Sequence, residues 1–279
     1  MYGANRVDVD KLRALYPSSP GTSYELFGVY LIRIWKVVCL GSTSKEHVSE
    51  VEGASHILVR RKYHGTVTAD WFSPDCWGGK AKPVATGGRG GAWFVETPVG
   101  EAVLRQYRRG GLMARVSESS YCFTGYDRTR AFAEFRLLQA LSDLGLPVPE
   151  PLAALAVRSG LMHYRAWILI RRIPGAVPLP EVSNLDDPAL WRQVGAVIRR
   201  FHNAGLNHTD LNCDNILVSS EGIHLIDFDK CQMVPTDASA AWKAANIERL
   251  KRSVQKRCAT LGETRGTQLW SALLDSYQR

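Results

Sequence analysis

The order of apolar and polar positions predicts short strands in the first half of the chain and helices in the second. Residues 56–72 and 92–107 read as short strands, and Pro- and Ser-rich turns punctuate this region, as expected of an antiparallel sheet. Apolar residues recur at helical spacing over 128–145 and 188–205, and each of these segments ends at a glycine. Between the two helices, residues 147–173 are predicted to form two further strands around a turn.

The remaining segments predict a mainly helical second half. Residues 172–176, RIPGA, read as a short linker, and 216–229 read as a hairpin of two apolar strands around a Ser-Ser-Glu-Gly turn. The segment after the hairpin is predicted to be helical and basic. We therefore expect an N-terminal extension with no assigned role (1–55), a small sheet lobe with one helix (56–172) and a mainly helical lobe (173–279). The fold class is then α+β and bilobal.

The most apolar segment of the chain lies in the extension, at 26–40. Arg33 and Lys36 interrupt it and it is short for a membrane span, so we expect it to pack within the protein. As a helix it would carry a narrow cationic stripe, and the alternative is that it lies on a membrane surface. Residues 1–21 are polar and predict no signal peptide.

Composition and charge narrow the class of protein and its partners. The chain has 279 residues, 45% hydrophobic and 22% charged, which is typical of a soluble globular protein. A net charge of +8 favours anionic partners, namely nucleotides, phosphorylated lipids, a negative membrane surface or nucleic acid. Nucleic acid is disfavoured because the aromatic residues show neither a stacking-platform nor a groove-helix pattern. The six cysteines form no CxxC pair, which indicates free thiols in a reducing compartment.

The stretch HTDLNCDN, residues 208–215, carries the candidate chemistry. It follows a predicted helix, and the hairpin after it leads to Asp227. Phosphoryl transfer needs a carboxylate that accepts the proton of the attacking hydroxyl. It also needs a carbonyl-type oxygen and a second carboxylate that hold Mg²⁺ against the ATP phosphates. The spacing H-x-D-x-x-x-x-N, followed by a hairpin that ends in D-F-D, predicts these groups as Asp210, Asn215 and Asp227. The alternative is an ordinary turn capped by His208, Asp210 and Asn215, which the complete pattern disfavours.

The predicted sheet lobe offers groups that could hold the ATP phosphates. A glycine-rich turn between two strands could present backbone N–H groups from Gly87, Gly88, Gly90 and Gly91. Arg105 lies on the next strand, where protein kinases carry the lysine of VAIK, and a neighbouring arginine could share its role. Glu134 shares the apolar face of the predicted helix, so we expect it to pair with Arg105. A solvent-exposed pair with Arg128 or Arg130 is the alternative.

Taken together, these motifs resemble those of a known family. The similar segments are GGRGGAWFV, VLRQYRRGG, TRAFAEFRLL, LGLPVPEP, RIPGA, FHNAGLNHTDLNCDNIL and LIDFDK. They resemble the 3-deoxy-D-manno-octulosonic acid (Kdo) kinases of Gram-negative lipopolysaccharide synthesis, which belong to the lipopolysaccharide core kinases with a protein-kinase-like fold. The resemblance covers about residues 56–256. HTDLNCDN and LIDFDK identify the superfamily, whereas YRRGG and TRAFAEFRLL indicate the lipopolysaccharide branch.

The resemblance implies a function, a location and a role for each candidate residue. The implied reaction is ATP- and Mg²⁺-dependent phosphorylation of the Kdo 4-hydroxyl on a Kdo–lipid A precursor. It would take place peripherally at the cytoplasmic face of the inner membrane of a Gram-negative bacterium. By position, the resemblance makes Asp210 the catalytic base and Asn215 and Asp227 the Mg²⁺ ligands. The resemblance also makes Arg105 the cation that contacts the ATP phosphates and Glu134 its ion-pair partner.

Two departures from protein kinases favour an acceptor that is not a protein. Asp229 stands where the DFG motif has its glycine, and no A-P-E-type activation segment follows it. The motifs do not determine which acceptor is phosphorylated, so a core heptose kinase or another small-molecule kinase is a close alternative. A pseudokinase scaffold without catalysis is a further alternative, against which the intact Asp210, Asn215 and Asp227 argue.

Overall fold

The computed structural model of the protein describes residues 47–84, 91–108, 121–235 and 239–279. These residues form a sheet lobe followed by a mainly helical lobe, and the chain passes from one to the other at 172–176. The predicted α+β, bilobal arrangement is therefore confirmed.

An antiparallel sheet forms the first lobe. Its strands are β1 (His47–Glu52), β2 (Ser55–Arg60), β3 (Ala81–Pro83), β4 (Ala92–Thr97), β5 (Gly100–Gln106), β6 (Tyr121–Cys122), β7 (Pro151–Ser159) and β8 (His163–Arg171). Seven of them run in the order β1-β2-β7-β8-β5-β4-β3, and β6 pairs with the start of β8. Strand β5, which carries Arg105, is hydrogen-bonded to a neighbour on each side, so its position is well fixed.

Different elements cover the two faces of this sheet, and this decides where Arg105 points. Ala102 and Leu104 of β5 are fully buried in the cluster that contains Trp71, under the turns that follow β2. Successive side chains of a strand point to opposite faces, so Arg105 lies on the other face. That face is covered by helix α1 (Arg130–Asp143). Arg105 therefore points toward α1.

The sequence predicted strands over 56–72, but β2 ends at Arg60. Short 3-10 helices follow, at Arg61–Tyr63, Ala69–Phe72 and Pro74–Lys80. The side chains of Tyr63, Val67 and Trp71 are buried. A spacing of four residues places side chains on one face of a strand as well as of a helix, so the sequence pattern did not separate the two. These side chains cover the outer face of the sheet.

Helix α1 agrees with the predicted amphipathic helix to within two residues at each end. Phe132 and Leu138, on its apolar face, are fully buried. The predicted stop at Gly145 is confirmed, because this glycine adopts a φ of 68°. The N–H of Leu146 then donates to the carbonyl of Leu141 at 3.0 Å, as in a Schellman motif. This ending fixes the direction in which the chain enters β7.

The second lobe contains the predicted second helix and the predicted hairpin. Its elements are α2 (Pro188–Asn203), α3 (Ala241–Arg257), α4 (Glu263–Gln278), the hairpin strands β11 (Ile216–Ser219) and β12 (Gly222–Leu225), and the short strands β9 (Val177–Pro178), β10 (Leu206–Asn207) and β13 (Gln232–Met233). Asp187 caps α2 by accepting the Ala189 N–H at 2.8 Å. Helices α2 and α4 approach closely at Gly195, where a Cβ would lie 2.1 Å from the Leu273 carbonyl oxygen.

The sheet begins within the segment that was assigned to the extension. β1 pairs with β2 over its whole length, from His47 opposite Arg60 to Glu52 opposite Ser55. The sheet lobe therefore includes residues before 56. Residues 1–46, with the apolar segment 26–40, lie outside the described residues, and the expectations for them stay predictions. Within the described part of the chain, no helix is long and apolar enough to cross a membrane.

Candidate active site

Ile226, directly after β12, anchors both ends of the loop 208–215. The ring Nε2–H of His208 donates to the Ile226 carbonyl at 3.0 Å, and the Ile226 N–H donates to the Asn215 carbonyl at 3.1 Å. Asp227 is the next residue along the chain. The loop and the predicted second metal ligand are therefore fixed against each other by backbone contacts.

His208 has a structural role in this loop. Its side chain is buried and packs against Phe228 with ring centroids 5.2 Å apart. Burial lowers the pKa of His208, although the Ile226 carbonyl and nearby carboxylates oppose this effect. A neutral ring with its proton on Nε2 is the form that donates to Ile226. His208 therefore holds the loop and is not the group that accepts a substrate proton.

Asn212 caps the turn inside the loop. Its side-chain oxygen accepts the N–H groups of Asp214 and Asn215, at 2.9 and 3.1 Å. The sequence pattern suggested such a backbone-capping role for His208, Asp210 and Asn215, but the residue that caps this turn is Asn212. The signal was an Asn directly before a short helical turn, Cys213–Asn215, a position that such residues favour.

Asp210 and Asn215 are linked across the loop. The Nδ2 group of Asn215 donates to the Asp210 carbonyl oxygen at 3.0 Å, which leaves the amide oxygen available as a ligand. The Asp210 carboxylate is 54% exposed, and the Nη1 atom of Arg249 lies 3.3 Å from its Oδ1 atom. The loop therefore presents one accessible carboxylate beside one amide oxygen.

Arg105 joins the sheet lobe to the end of the hairpin. Its Nη1 group donates to Asp227 and its Nη2 group donates to Glu134 on α1. The Tyr107 hydroxyl donates to the same oxygen of Glu134, Oε2. The predicted pair of Arg105 and Glu134 is confirmed. The Glu134 side chain is only 2% exposed, so the alternative of a solvent-exposed pair with Arg128 or Arg130 is excluded.

Burial and charge act against each other in this cluster. Burial opposes the charge of Arg105, but Glu134, Tyr107 and Asp227 outweigh it and hold the pKa of the guanidinium well above its ordinary value. Burial raises the pKa of Glu134, and Arg105 partly counteracts this. Burial also raises the pKa of Tyr107 well above its ordinary value, so the phenol stays protonated. Its O–H group donates a hydrogen bond to Glu134. The cluster thus presents a permanent cation beside Asp227.

Asp227 adopts a left-handed backbone conformation, with a φ of 63°. For a residue with a side chain this conformation typically costs about 1–2 kcal/mol, and it persists only where the surroundings impose it. The backbone contacts of Ile226 on one side and the ion pair with Arg105 on the other impose it here. Strain of this kind is typical of functional sites.

Asp229, the departure from the DFG pattern, has a partner in the sheet lobe. Arg130, the first residue of α1, donates from Nε to Asp229 at 2.8 Å and makes a second contact through Nη2. Its Nη1 group donates to the Tyr121 hydroxyl at 2.8 Å. The sequence pattern singled out Asp229 but did not predict its pairing with Arg130. Both acids of the segment D-F-D are therefore bound by arginines of the sheet lobe.

Of the glycine-rich turn, the described residues include Gly91 alone, and Gly87, Gly88 and Gly90 lie outside them. The Gly91 carbonyl accepts the Gln106 N–H at 2.7 Å. A Cβ at Gly91 would lie 3.1 Å from the Gln106 carbonyl oxygen. The end of the turn is thus held next to the residue that follows Arg105. The phosphate-binding role of the four glycines stays a prediction.

Asn215 and Asp227 form a donor set that suits Mg²⁺. Both supply oxygen, and Mg²⁺ in nucleotide sites is typically bound by one or two protein groups together with phosphate oxygens and water. Within the described ranges, no group of three or more His, Cys, Asp or Glu side chains could hold a metal ion. A site that depends on phosphate oxygens does not require such a group.

The fold and the site define a phosphotransferase of the protein-kinase-like class. A sheet lobe supplies a cation paired with a helix glutamate, and a helical lobe supplies an H-x-D-x-x-x-x-N loop and Asp227, the predicted metal ligand. The model of the lipopolysaccharide kinase (Kdo/WaaP) family matches residues 74–277. The chain belongs to this family.

Curated relatives agree with this assignment. A protein of Stenotrophomonas maltophilia (strain R551-3) named 3-deoxy-D-manno-octulosonic acid kinase is 48% identical over 216 residues, which are 74% of this chain and 83% of the relative. A protein of the same name from Xanthomonas campestris pv. campestris (strain B100) is 47% identical over 210 residues, with the same coverage. Among solved structures, WaaP in complex with acyl carrier protein is 17% identical, with a TM-score of 0.46 over 74% of this chain and 85% of that chain.

Proposed function

We propose that the protein is an ATP-dependent kinase that transfers the γ-phosphate to the 4-hydroxyl of Kdo on a Kdo–lipid A precursor. Membership of the lipopolysaccharide kinase family and the names of the curated relatives support this proposal. The observation that carries it is the convergence at Asp227. Asp227 directly follows Ile226, whose backbone holds both ends of the loop that carries Asp210. Asp227 is also bound by Arg105, which pairs with the buried Glu134.

The proposed reaction assigns one task to each side chain. The acceptor hydroxyl oxygen bonds to the γ-phosphorus, the bond from this phosphorus to the β–γ bridging oxygen breaks, and ADP leaves with the electron pair. Asp210 orients the hydroxyl and accepts its proton. Arg105 supplies a cation for the phosphates, and Glu134 and Tyr107 keep it in place so that little reorganisation is needed.

Asn215 and Asp227 would hold Mg²⁺, and Gly87, Gly88, Gly90 and Gly91 would offer backbone N–H groups to the phosphates. Bound there, the metal ion would neutralise phosphate charge. The amide of Asn215 is already oriented by its bond to the Asp210 carbonyl. Asp227 is likewise oriented by Arg105.

We also propose that the protein works peripherally at the cytoplasmic face of the inner membrane. An acceptor anchored by acyl chains has to be reached at a bilayer surface. The net charge of +8 favours an anionic surface, and α3 exposes Lys251, Arg252 and Lys256. Sedimentation with vesicles tests this. The protein should bind vesicles that contain anionic lipid, and this binding should weaken as the salt concentration rises. Equal binding to neutral vesicles would contradict the proposal.

The kinase proposal is tested by mass spectrometry of acceptors incubated with ATP, Mg²⁺ and the protein. Kdo–lipid IVA should gain one phosphate on the Kdo residue, and lipid IVA without Kdo should gain none. The matched control is Asp210→Asn, which should transfer far less. Phosphate found only on a heptose-containing core acceptor would make the protein a heptose kinase. ATP binding without transfer to any acceptor would indicate a pseudokinase.

A further inference from the structure

Helix α3 lies along the loop that carries Asp210 and holds its backbone in place. Asn246 accepts the N–H of His208 at 3.1 Å, and Ser253 accepts the N–H of Cys213 at 2.9 Å. Arg249 lies between these two anchors on α3. Its backbone is therefore fixed relative to the loop, and only its side chain is free to adjust.

The contact between Arg249 and Asp210 is solvent-exposed and involves a single atom pair. Nη1 of Arg249 lies 3.3 Å from Oδ1 of Asp210, with the side chains 48% and 54% exposed. Among the described residues, this is the one ion pair that Arg249 makes. A guanidinium has five N–H donors, and the contact with Asp210 is the one hydrogen bond that Arg249 makes within the described part of the chain. An ion pair this exposed contributes little to stability, so stability does not explain an arginine at this position.

A second ion pair on the same helix is held by several hydrogen bonds. Arg257 binds Asp214 of the same loop through Nε, at 3.0 and 3.2 Å from the two carboxylate oxygens, and through Nη2 at 2.9 Å. Its exposure is similar to that of Arg249. Arg257 thus contacts both oxygens of its carboxylate, whereas Arg249 touches the Asp210 carboxylate through one atom pair and retains donors for another anion.

The acceptor in the proposed function is a sugar acid. Its carboxylate and its 4-hydroxyl are carried by ring carbons separated by a single carbon, so a hydroxyl at Asp210 brings a second carboxylate close to it. Two carboxylates at such a distance repel each other unless a cation lies between them. Arg249 is a cation beside Asp210 with donors to spare. Arginine also binds a carboxylate through two parallel hydrogen bonds.

We propose that Arg249 binds the carboxylate of the acceptor sugar and thereby selects a sugar acid over a neutral sugar such as heptose. This inference rests on the proposed function. Arg249 keeps its contact with Asp210 when the acceptor arrives, and the acceptor carboxylate takes its remaining N–H groups. The sugar ring is then oriented by Arg249 at one position and by Asp210 at the reacting hydroxyl.

The test compares KM values of variants for two acceptors. One acceptor is Kdo–lipid IVA, and the other is the same molecule with the Kdo carboxylate reduced to a primary alcohol. For Arg249→Ala we expect the KM for the acid acceptor to rise about 10- to 100-fold, the range typical of a charge-assisted hydrogen-bonded pair, with the KM for ATP unchanged. Arg249→Lys should recover part of the loss, and the matched control Arg257→Ala should behave as the wild type.

The reduced acceptor separates the possible roles of Arg249. The wild-type protein should lose about the same factor on the reduced acceptor, and Arg249→Ala should lose nothing further, because the two changes remove one interaction. An unchanged acceptor KM in Arg249→Ala would overturn the proposal. An equal loss by Arg249→Ala on both acceptors would also overturn it and would assign Arg249 to Asp210 or to the lipid phosphates. Absence of any transfer by the wild-type protein would instead refute the proposed function.

Discussion

The buried carboxylate of Glu134 allows its charge to be tested separately from its hydrogen bonds. Arg105 and Tyr107 both donate to one oxygen, Oε2. In Glu134→Gln the amide oxygen can take this position, so both hydrogen bonds persist and the charge alone is removed. In Glu134→Ala both hydrogen bonds disappear, and the two donors face a cavity. The two variants therefore measure different parts of the same cluster.

The expected magnitudes follow from the burial of the cluster. Hydrogen bonds to charged groups contribute about 1.5–3 kcal/mol and neutral ones about 0.5–1.5 kcal/mol, so Glu134→Gln should cost about 1–2 kcal/mol of unfolding free energy. Removing one partner of a buried pair typically costs about 3–5 kcal/mol. The Arg105 side chain is 23% exposed and keeps Asp227 as a partner. We therefore expect about 3 kcal/mol, the low end of this range, for Glu134→Ala.

Urea denaturation followed by tryptophan fluorescence measures these free energies. The matched control is Glu101→Gln, in a solvent-exposed pair with Arg172 at 3.4 Å, which should cost less than about 0.5 kcal/mol. If Glu134→Ala costs no more than Glu134→Gln, the hydrogen bonds of the cluster contribute nothing and the reasoning is wrong. A cost for Glu134→Gln equal to that of the control would show that its charge is not coupled to Arg105.

Three further predictions concern the site and the helical lobe. Asp210→Asn should lower turnover about 10²–10⁴-fold with ATP affinity nearly unchanged, whereas Asp227→Asn should weaken Mg²⁺-dependent ATP binding. Nucleotide titration and acceptor phosphorylation measure the two effects, and full transfer by Asp210→Asn would contradict its role. Arg105→Ala should lose most ATP use and Arg105→Lys should keep a substantial part, as read from the KM for ATP; wild-type turnover of Arg105→Ala would move the role to a neighbouring arginine. Burial lowers the pKa of His202 from 6.5 to about 4, so the unfolded chain takes up this proton first and stability should fall as the pH drops from 6.5 to about 4, by at most about 3 kcal/mol. Denaturant midpoints at several pH values should show a weaker pH dependence for His202→Gln, and an equal dependence would contradict this.

The sequence predicted best those features that depend on local patterns. Helix α1 and its stop at Gly145 follow from apolar spacing and from the φ that glycine tolerates. The loop 208–215 and its hairpin could be identified because motif and spacing lie within one short stretch. The Arg105–Glu134 pair could be predicted because a buried acid requires a partner and the lobe offered a suitable cation.

Contacts between distant positions could not be predicted in the same way. Arg130 and Asp229 are separated by 99 positions, and no local pattern relates them. The contact of Arg249 with Asp210 depends on how α3 packs along the loop, which the basic character of α3 does not reveal. The strands expected over 56–72 were wrong beyond Arg60, because helical turns pack apolar side chains against the sheet there as strands would.

The two ion pairs between the lobes have a consequence for the evolution and engineering of the chain. Asp227 and Asp229 belong to the helical lobe, but the arginines that bind them, Arg105 and Arg130, come from the sheet lobe. Expressed alone, a helical lobe would carry both carboxylates without the cations that bind them in the whole protein. A chimaera with the sheet lobe of a distant kinase would have the same defect unless that lobe brought both arginines. Recombination between family members should therefore conserve these four residues as a single inherited set.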